Sequence, residues 1–154
     1  MEISKKLFTY DAFCDIIFGG NYYTDYLPPS SCWIVWDKEN GENDFADCEL
    51  AWCSQKSAVR ICHYRWQGML QGNMAMKEKR VHPTQKPLPV MEWILNKYTN
   101  EGDIILDPFA GSGTTLIACH KLNRKYIGFE LDEEYYEYAI ERLNDLKNQI
   151  SMFW

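Results

Sequence analysis

The sequence predicts an α/β protein, and three observations carry that prediction. Residues 89–147 run through helix, strand, helix, strand and helix patterns. A glycine-rich stretch, Ala110-Gly111-Ser112-Gly113, stands where the first of those strands hands over to a helix. A carboxylate, Glu130, closes the second strand, 17 positions past Gly113. A β-α-β-α unit of this kind calls for parallel strands covered by helices. The 154 residues fit one domain with a substantial core, and 46% apolar and 25% charged residues exclude a disordered or fibrous chain.

The first half reads as short strands separated by turns. Asp15-Ile16-Ile17-Phe18 runs into Gly19-Gly20, and Cys32-Trp33-Ile34-Val35-Trp36 follows the turn Pro28-Pro29-Ser30-Ser31. Glu49–Cys53 and Val59–Tyr64 are the next strands. From Trp66 to Pro87 there is little periodicity and much Gly, Gln, Asn and Met, which predicts a long loop of the functional or mobile kind. Pro89–Tyr98 is helical, with Val90, Trp93, Ile94 and Lys97 at helical spacing and proline in the first turn. Ile104–Asp107 is a strand, Thr114 to about Leu122 a helix, and Lys125–Glu130 a strand. The last helix, Asp132 to about Lys147, sets Tyr135, Tyr138, Ala139, Leu143 and Leu146 on one face, with Asp132 as N-cap.

Charge is unevenly distributed. Between Lys56 and Lys86 lie seven basic residues and one acid, Glu78, while the rest of the chain holds nine bases and 21 acids. This basic segment includes Arg60, Arg65, Lys77, Lys79 and Arg80; by charge alone it is a solvated basic loop or a surface for an anionic partner. Six cysteines include no C-x-x-C pair, and Cys48, Cys53, Cys62 and His63 lack the spacing of a zinc set, so no metal is expected. The absence of a long apolar run or signal-peptide pattern predicts a cytoplasmic protein with no membrane partner.

The glycine stretch points to a nucleotide. Glycines let backbone approach a ligand, and a helix N-terminus offers free N–H groups. Glu130 stands where such sites put the acceptor for ribose hydroxyls. The third place of a dinucleotide fingerprint holds Leu116, and there is no phosphate-loop lysine motif. Asp107, ahead of the glycines, suits a cationic group. A ligand with a ribose, an amino group and no phosphate fits S-adenosylmethionine.

At these residues the chain resembles the DNA N4-cytosine/N6-adenine methyltransferases. Asp107-Pro108-Phe109-Ala110-Gly111-Ser112-Gly113-Thr114-Thr115 is similar to that family's cofactor motif, and His82-Pro83-Thr84-Gln85-Lys86-Pro87 to its second cofactor-side motif. Ile127 to Tyr135 resembles its ribose-binding strand end and the helix after it, and Phe18-Gly19-Gly20-Asn21-Tyr22-Tyr23 a strand of the catalytic half. Their order is that of the circularly permuted branch, catalytic half first. The resemblance implies a Rossmann-like S-adenosylmethionine-dependent fold, here an incomplete, mostly parallel sheet with an antiparallel edge hairpin. It implies one partial domain: strands of the catalytic half over 1–64, a basic recognition-like segment over 65–88 and a cofactor unit over 89–154. Asp107, Phe109, Ala110, Gly111, Ser112, Gly113, Thr114, Thr115, Glu130 and Leu131 would line the cofactor, with Glu130 on the ribose. Thr84, Gln85 and Lys86 would reach the methionine carboxylate, while His82 is read as part of a proline-stiffened helix entry. Only this family resemblance of the cofactor motifs implies that the basic segment, with Arg60, Arg65, Lys77, Lys79 and Arg80, faces DNA phosphates. On that same resemblance, the interleaved Tyr64, Trp66, Gln67, Gln71 and Asn73 would suit base-edge readout.

The family's catalytic tetrapeptide, [Asp/Asn/Ser]-Pro-Pro-[Tyr/Phe/Trp], is absent. Leu27-Pro28-Pro29-Ser30 has leucine for the polar acceptor and serine for the aromatic ring. No catalytic residue is therefore assigned. The expectation is a site-specific DNA methyltransferase, acting on adenine N6 or cytosine N4, that is truncated at the N-terminus. The alternatives are a non-catalytic cofactor- or DNA-binding remnant, or an RNA methyltransferase. Without the strand bearing the tetrapeptide, Ile16–Phe18 is expected to pair directly with Ile104–Asp107, with self-association or a partner chain in solution as the other way to cover the open edges.

Overall fold

The computed structural model describes residues 14–41, 44–67 and 70–151. The chain forms two compact units, Met1–Met74 and Ala75–Trp154, with the boundary inside the basic segment.

In the first unit, β1 (Ile16–Phe18), β2 (Trp33–Asp37), β3 (Cys48–Cys53) and β4 (Arg60–His63) make one sheet in the order β1-β3-β2-β4. β3 runs antiparallel to both β1 and β2, and β4 lies parallel to β2. Strand periodicity decides the core: Ile34 and Trp36 point in, while Trp33, Val35 and Asp37 are partly exposed. The indoles of Trp36 and Trp52 are buried with their N–H groups satisfied, donating to the carbonyls of Tyr64 and Pro28, each at 2.9 Å. Two short strands, β5 (Trp66–Gln67) and β6 (Leu70–Gln71), pair antiparallel, and Met74–Met76 forms a 3-10 turn. The predicted loop is therefore partly structured at its start.

In the second unit, α1 (Leu88–Tyr98) is preceded by Pro87 and buries Val90, Met91, Ile94, Leu95 and Tyr98; Lys97 is exposed, off that face. β7 (Ile104–Asp107) pairs parallel with β8 (Lys125–Gly128), and α2 (Thr114–Lys121) connects them. β8 ends two residues before Glu130, because Phe129 and Glu130 leave the ladder to serve the loop described below. α3 (Glu133–Ser151) begins after Asp132, whose Oδ1 accepts the Tyr135 amide at 3.1 Å, the predicted cap. Leu116, Ile117 and Leu143 form a core to which Leu88, Ala110, Tyr126 and Leu146 add. Helices cover one face of the β7–β8 pair; on the other, Ile104, Leu106 and Ile127 are exposed.

The α/β class holds, but the sheets are mixed rather than one mostly parallel sheet. Among the described residues β1 pairs with β3 alone and β7 with β8 alone, so the expected ladder between Ile16–Phe18 and Ile104–Asp107 does not form. The two strands belong to different units, and β1 is a three-residue strand bonded along its whole length to β3.

Arg124 is a buried polar tie inside the second unit. Only 8% exposed, it donates from Nε to Thr99 Oγ1 at 3.1 Å, from Nη2 to the Thr99 carbonyl at 3.0 Å and from Nη1 to the Leu122 carbonyl at 2.6 Å. It thereby joins the C-terminal ends of α1 and α2. Arg124→Met strips these acceptors of a charged donor and is expected to cost roughly 1.5–3 kcal/mol, read as a lowered urea midpoint with an unchanged slope.

Candidate cofactor site

The site is built at the ends of the two parallel strands. Leaving β7, Asp107 Oδ1 accepts the Phe109 amide at 3.1 Å, and the Ala110 amide donates to the Phe129 carbonyl at 2.8 Å. The chain then turns through Gly111 to Gly113, closed by a bond from the Gly113 amide to the Ala110 carbonyl at 2.8 Å. Glu130 holds this turn from the neighbouring strand: Oε2 accepts the Gly111 amide at 2.7 Å, while Oε1 accepts the amides of Leu131 and Asp132 at 2.8 and 2.9 Å. The Asp132 amide above all, then those of Gly111 and Leu131 and the charge of His82, keep the Glu130 carboxyl below its ordinary range against a smaller opposing effect of burial.

Both glycines are required by position. Gly113 has φ 75°, and a Cβ there would lie 2.9 Å from Ala139 Cβ, so α3 approaches only because the side chain is missing. Gly111 has φ 51° and lies beneath the His82 ring. As in any α-helix, the first-turn amides of α2 lack intrahelical partners and are available to a ligand.

The remaining predicted residues divide into those that face outward and those that support. Phe109 and Leu131 are strongly exposed beside the loop. Ser112 and Thr114 are buried, their hydroxyls 3.3 Å apart, and Thr115 is partly buried. Gln85 is also buried: its carboxamide accepts the Val81 amide at 3.0 Å and donates to the Lys79 carbonyl at 3.2 Å, so it shapes its own segment. Lys86 donates to the Thr84 carbonyl at 3.2 Å, and Thr84 bonds through its amide and hydroxyl to His82 Nδ1, at 3.2 and 3.1 Å.

His82 is the residue that sequence reasoning undervalued. Its ring stands edge-on to Tyr135 at 4.3 Å, packs on Gly111 and reaches Glu130 electrostatically. It joins the Thr84–Lys86 segment to the glycine loop. The signal was a histidine opening the second cofactor-side motif; its contacts lie far along the chain.

The basic residues are exposed but divided. Arg60 and Arg65 belong to the first unit; Lys77, Lys79 and Arg80 belong to the second. Lys79 lies 5.8 Å from the Tyr138 ring and shares an open cavity with Glu134, Glu137 and Glu141, while Arg80 donates to the Pro83 carbonyl. Among the described residues no cluster of three or more His, Cys, Asp or Glu side chains could hold a metal.

The family profile described as DNA methylase matches residues 24–141. The chain belongs to the DNA N4/N6 methylase family. Among relatives of this methylase-family chain, Type II methyltransferase M.HindIII from Haemophilus influenzae is 44% identical over 80 residues, 52% of this chain and 26% of that protein. Type II methyltransferase M2.MboI from Moraxella bovis is 34% identical over 131 residues, 82% of this chain and 45% of that protein. The chain thus spans about a quarter to under half the length of these curated relatives. The crystal structure of the M1.HpyAVI–SAM complex superposes with a TM-score of 0.59 at 33% identity, covering 85% of this chain and 74% of that one. PvuII DNA methyltransferase (cytosine-N4-specific) shares the fold at a TM-score of 0.54 and 17% identity. The α/β methyltransferase fold implied by the motifs is therefore the fold of this methylase.

Glu130 gives the methylase loop a pH dependence of definite sign. Its folded pKa is lowered, so its contribution is complete above the ordinary glutamate range, near pH 4.3, and is lost as pH falls through the lower folded value. The Gly111 amide proton, followed by NMR during acidification, should shift with a midpoint below about 4.3. A midpoint at or above that value would mean that the carboxylate does not hold the loop.

Proposed function

We propose that the second unit binds S-adenosylmethionine and that the chain is the cofactor-binding part of a site-specific DNA amino-methyltransferase. The observation carrying this reading is the convergence of Asp107, the Gly111–Gly113 turn, Glu130 and the His82–Lys86 segment at the carboxyl ends of two parallel strands. Ligands of α/β sheets bind at such strand ends. The relatives' names and the SAM complex of M1.HpyAVI support it. Glu130 accepts ribose hydroxyls, Asp107 faces the cationic end, and the exposed Phe109 and Leu131 offer apolar contact. Thr84 and Lys86 serve the carboxylate, and Gln85 holds their segment in shape. Bound S-adenosylmethionine supplies an electrophilic methyl group.

The two units are parts of one methyltransferase domain on this reading, and a cytoplasmic location goes with a DNA substrate. No helix among the described residues is long and apolar enough to cross a membrane. The sequence has no acceptor–Pro–Pro–aromatic tetrapeptide, so transfer requires a polypeptide that carries one. A partner chain or second copy against β7 is supported by the exposed Ile104, Leu106 and Ile127 and by the edge of β7, unpaired among the described residues. The missing tetrapeptide also sustains a second reading, a non-catalytic module that binds cofactor or DNA.

Calorimetry tests the cofactor assignment. Glu130→Ala should weaken S-adenosylmethionine binding by roughly 10- to 150-fold, the value of a hydrogen bond to a charged group. Equal affinities would remove Glu130 from the site, and no heat with the unaltered chain would refute the proposal. DNA contact is tested by salt: about four phosphates neutralised give a log–log slope near −3.6. Replacing Lys77, Lys79 and Arg80 with Gln should flatten it, and an unchanged slope would leave them as a solvated basic surface.

A further inference from the structure

We propose that Arg142 is the positioning residue of the glycine loop and that Glu78 aims it; the role in binding rests on the cofactor reading above. Arg142 projects from α3, and its side chain is only 16% exposed. Nη1 donates to the Ser112 carbonyl at 2.6 Å and lies 3.3 Å from Thr114 Oγ1. Nη2 stands 3.6 Å from Glu78 Oε2, and Glu78 Oε1 accepts the Leu88 amide at 2.8 Å. One guanidinium therefore ties the loop to α3 and, through Glu78, to the start of α1 and the segment bearing His82–Lys86.

The tie controls direction. A trans peptide is planar, with its C=O and N–H pointing opposite ways. Arg142 draws the Ser112 carbonyl toward α3, so the Gly113 amide of the same peptide points back to the Ala110 carbonyl, which it meets at 2.8 Å. That bond closes the turn carrying Gly111 and opening α2. With the inner carbonyl held, the loop's opposite edge is the one presented to a ligand. Lysine, a point charge on a flexible stem, cannot reproduce the fork that serves Ser112 and Glu78 together.

The pair is poorly explained as a stabiliser. Burial raises the Glu78 carboxyl above its ordinary range despite Arg142 beside it. A carboxyl raised on folding favours the folded state most at low pH and loses that advantage as pH rises through the folded value. Removing the Glu78 charge alone leaves the buried Arg142 guanidinium without its counter-charge, so Glu78→Gln is expected to lower folding stability as well as loosen the aim of Arg142.

The experiment uses the full chain, with hydrogen exchange read by NMR and calorimetry with S-adenosylmethionine. In Arg142→Met, the amides of residues 111–114 should exchange faster while those of Ile105 and Tyr126 do not. Cofactor affinity should fall roughly 10- to 100-fold, and Arg142→Lys should recover part of both losses. Glu78→Gln should quicken loop exchange and weaken binding, and adding it to Arg142→Met should weaken binding no further, since Glu78 acts through the guanidinium. Unchanged loop exchange and affinity in Arg142→Met would overturn the proposal. So would uniform acceleration of all amides, or an affinity loss in the Glu78→Gln, Arg142→Met double variant equal, in free energy, to the sum of the two single losses. If the unaltered chain gives no heat with S-adenosylmethionine, the cofactor reading fails, and exchange still decides the tie: acceleration confined to 111–114 sustains it, and none or uniform acceleration overturns it.

Discussion

The parallel register of β7 and β8 is the constraint on which the second unit depends. Asp107 lies opposite Gly128, so both strands end at one level and their outgoing chains meet at once. The Phe129 amide reaches the Asp107 carbonyl at 3.0 Å, and the Ala110 amide reaches the Phe129 carbonyl at 2.8 Å. Sliding β8 by one residue would turn Tyr126 away from the helices and carry Glu130 away from Gly111. The glycine loop, the cap of α3 and the seat of His82 all follow from this alignment of two four-residue strands.

That pair is asymmetric. Its helical face is closed by Leu116, Ile117 and Leu143, whereas its other face presents Ile104, Leu106 and Ile127 to solvent. A parallel sheet ordinarily has both faces covered, because its crossover connections place helices there. The three α-helices described in this unit lie along the chain that builds the glycine loop, and that loop and the exposed apolar surface are on the same small sheet.

Much of the second unit was legible because its signals are local. Glycines between a strand and a helix, a carboxylate at the next strand end and an aspartate before an amphipathic run each act within a few residues. The boundary between β7 and α2 and the start of α3 follow from them. The division of the strands into separate sheets was not legible, because period-two patterning tells which way a side chain points and says little about which strand lies beside it. The two-residue strands at Trp66 and Leu70 are too short to show a period at all. His82 and Arg142 were hidden for a related reason. One reads as punctuation before prolines and the other as part of the polar side of α3; only the contacts with Gly111, Tyr135, Ser112 and Glu78 distinguish them.

The carboxylate of Glu130 has a finite capacity. An ionised carboxyl offers about four acceptor positions. Two amides occupy Oε1 and one occupies Oε2, which leaves a single acceptor position on Oε2. One hydroxyl can be taken without disturbing anything. A vicinal diol gripping with both oxygens must displace an amide, and the Gly111 amide is the one belonging to the loop rather than to the start of α3. On the cofactor reading, recognition of a ribose by this side chain would be an exchange of partners: the sugar would gain what the loop gives up, and the turn would keep its rigidity from its other ties while the ligand is seated.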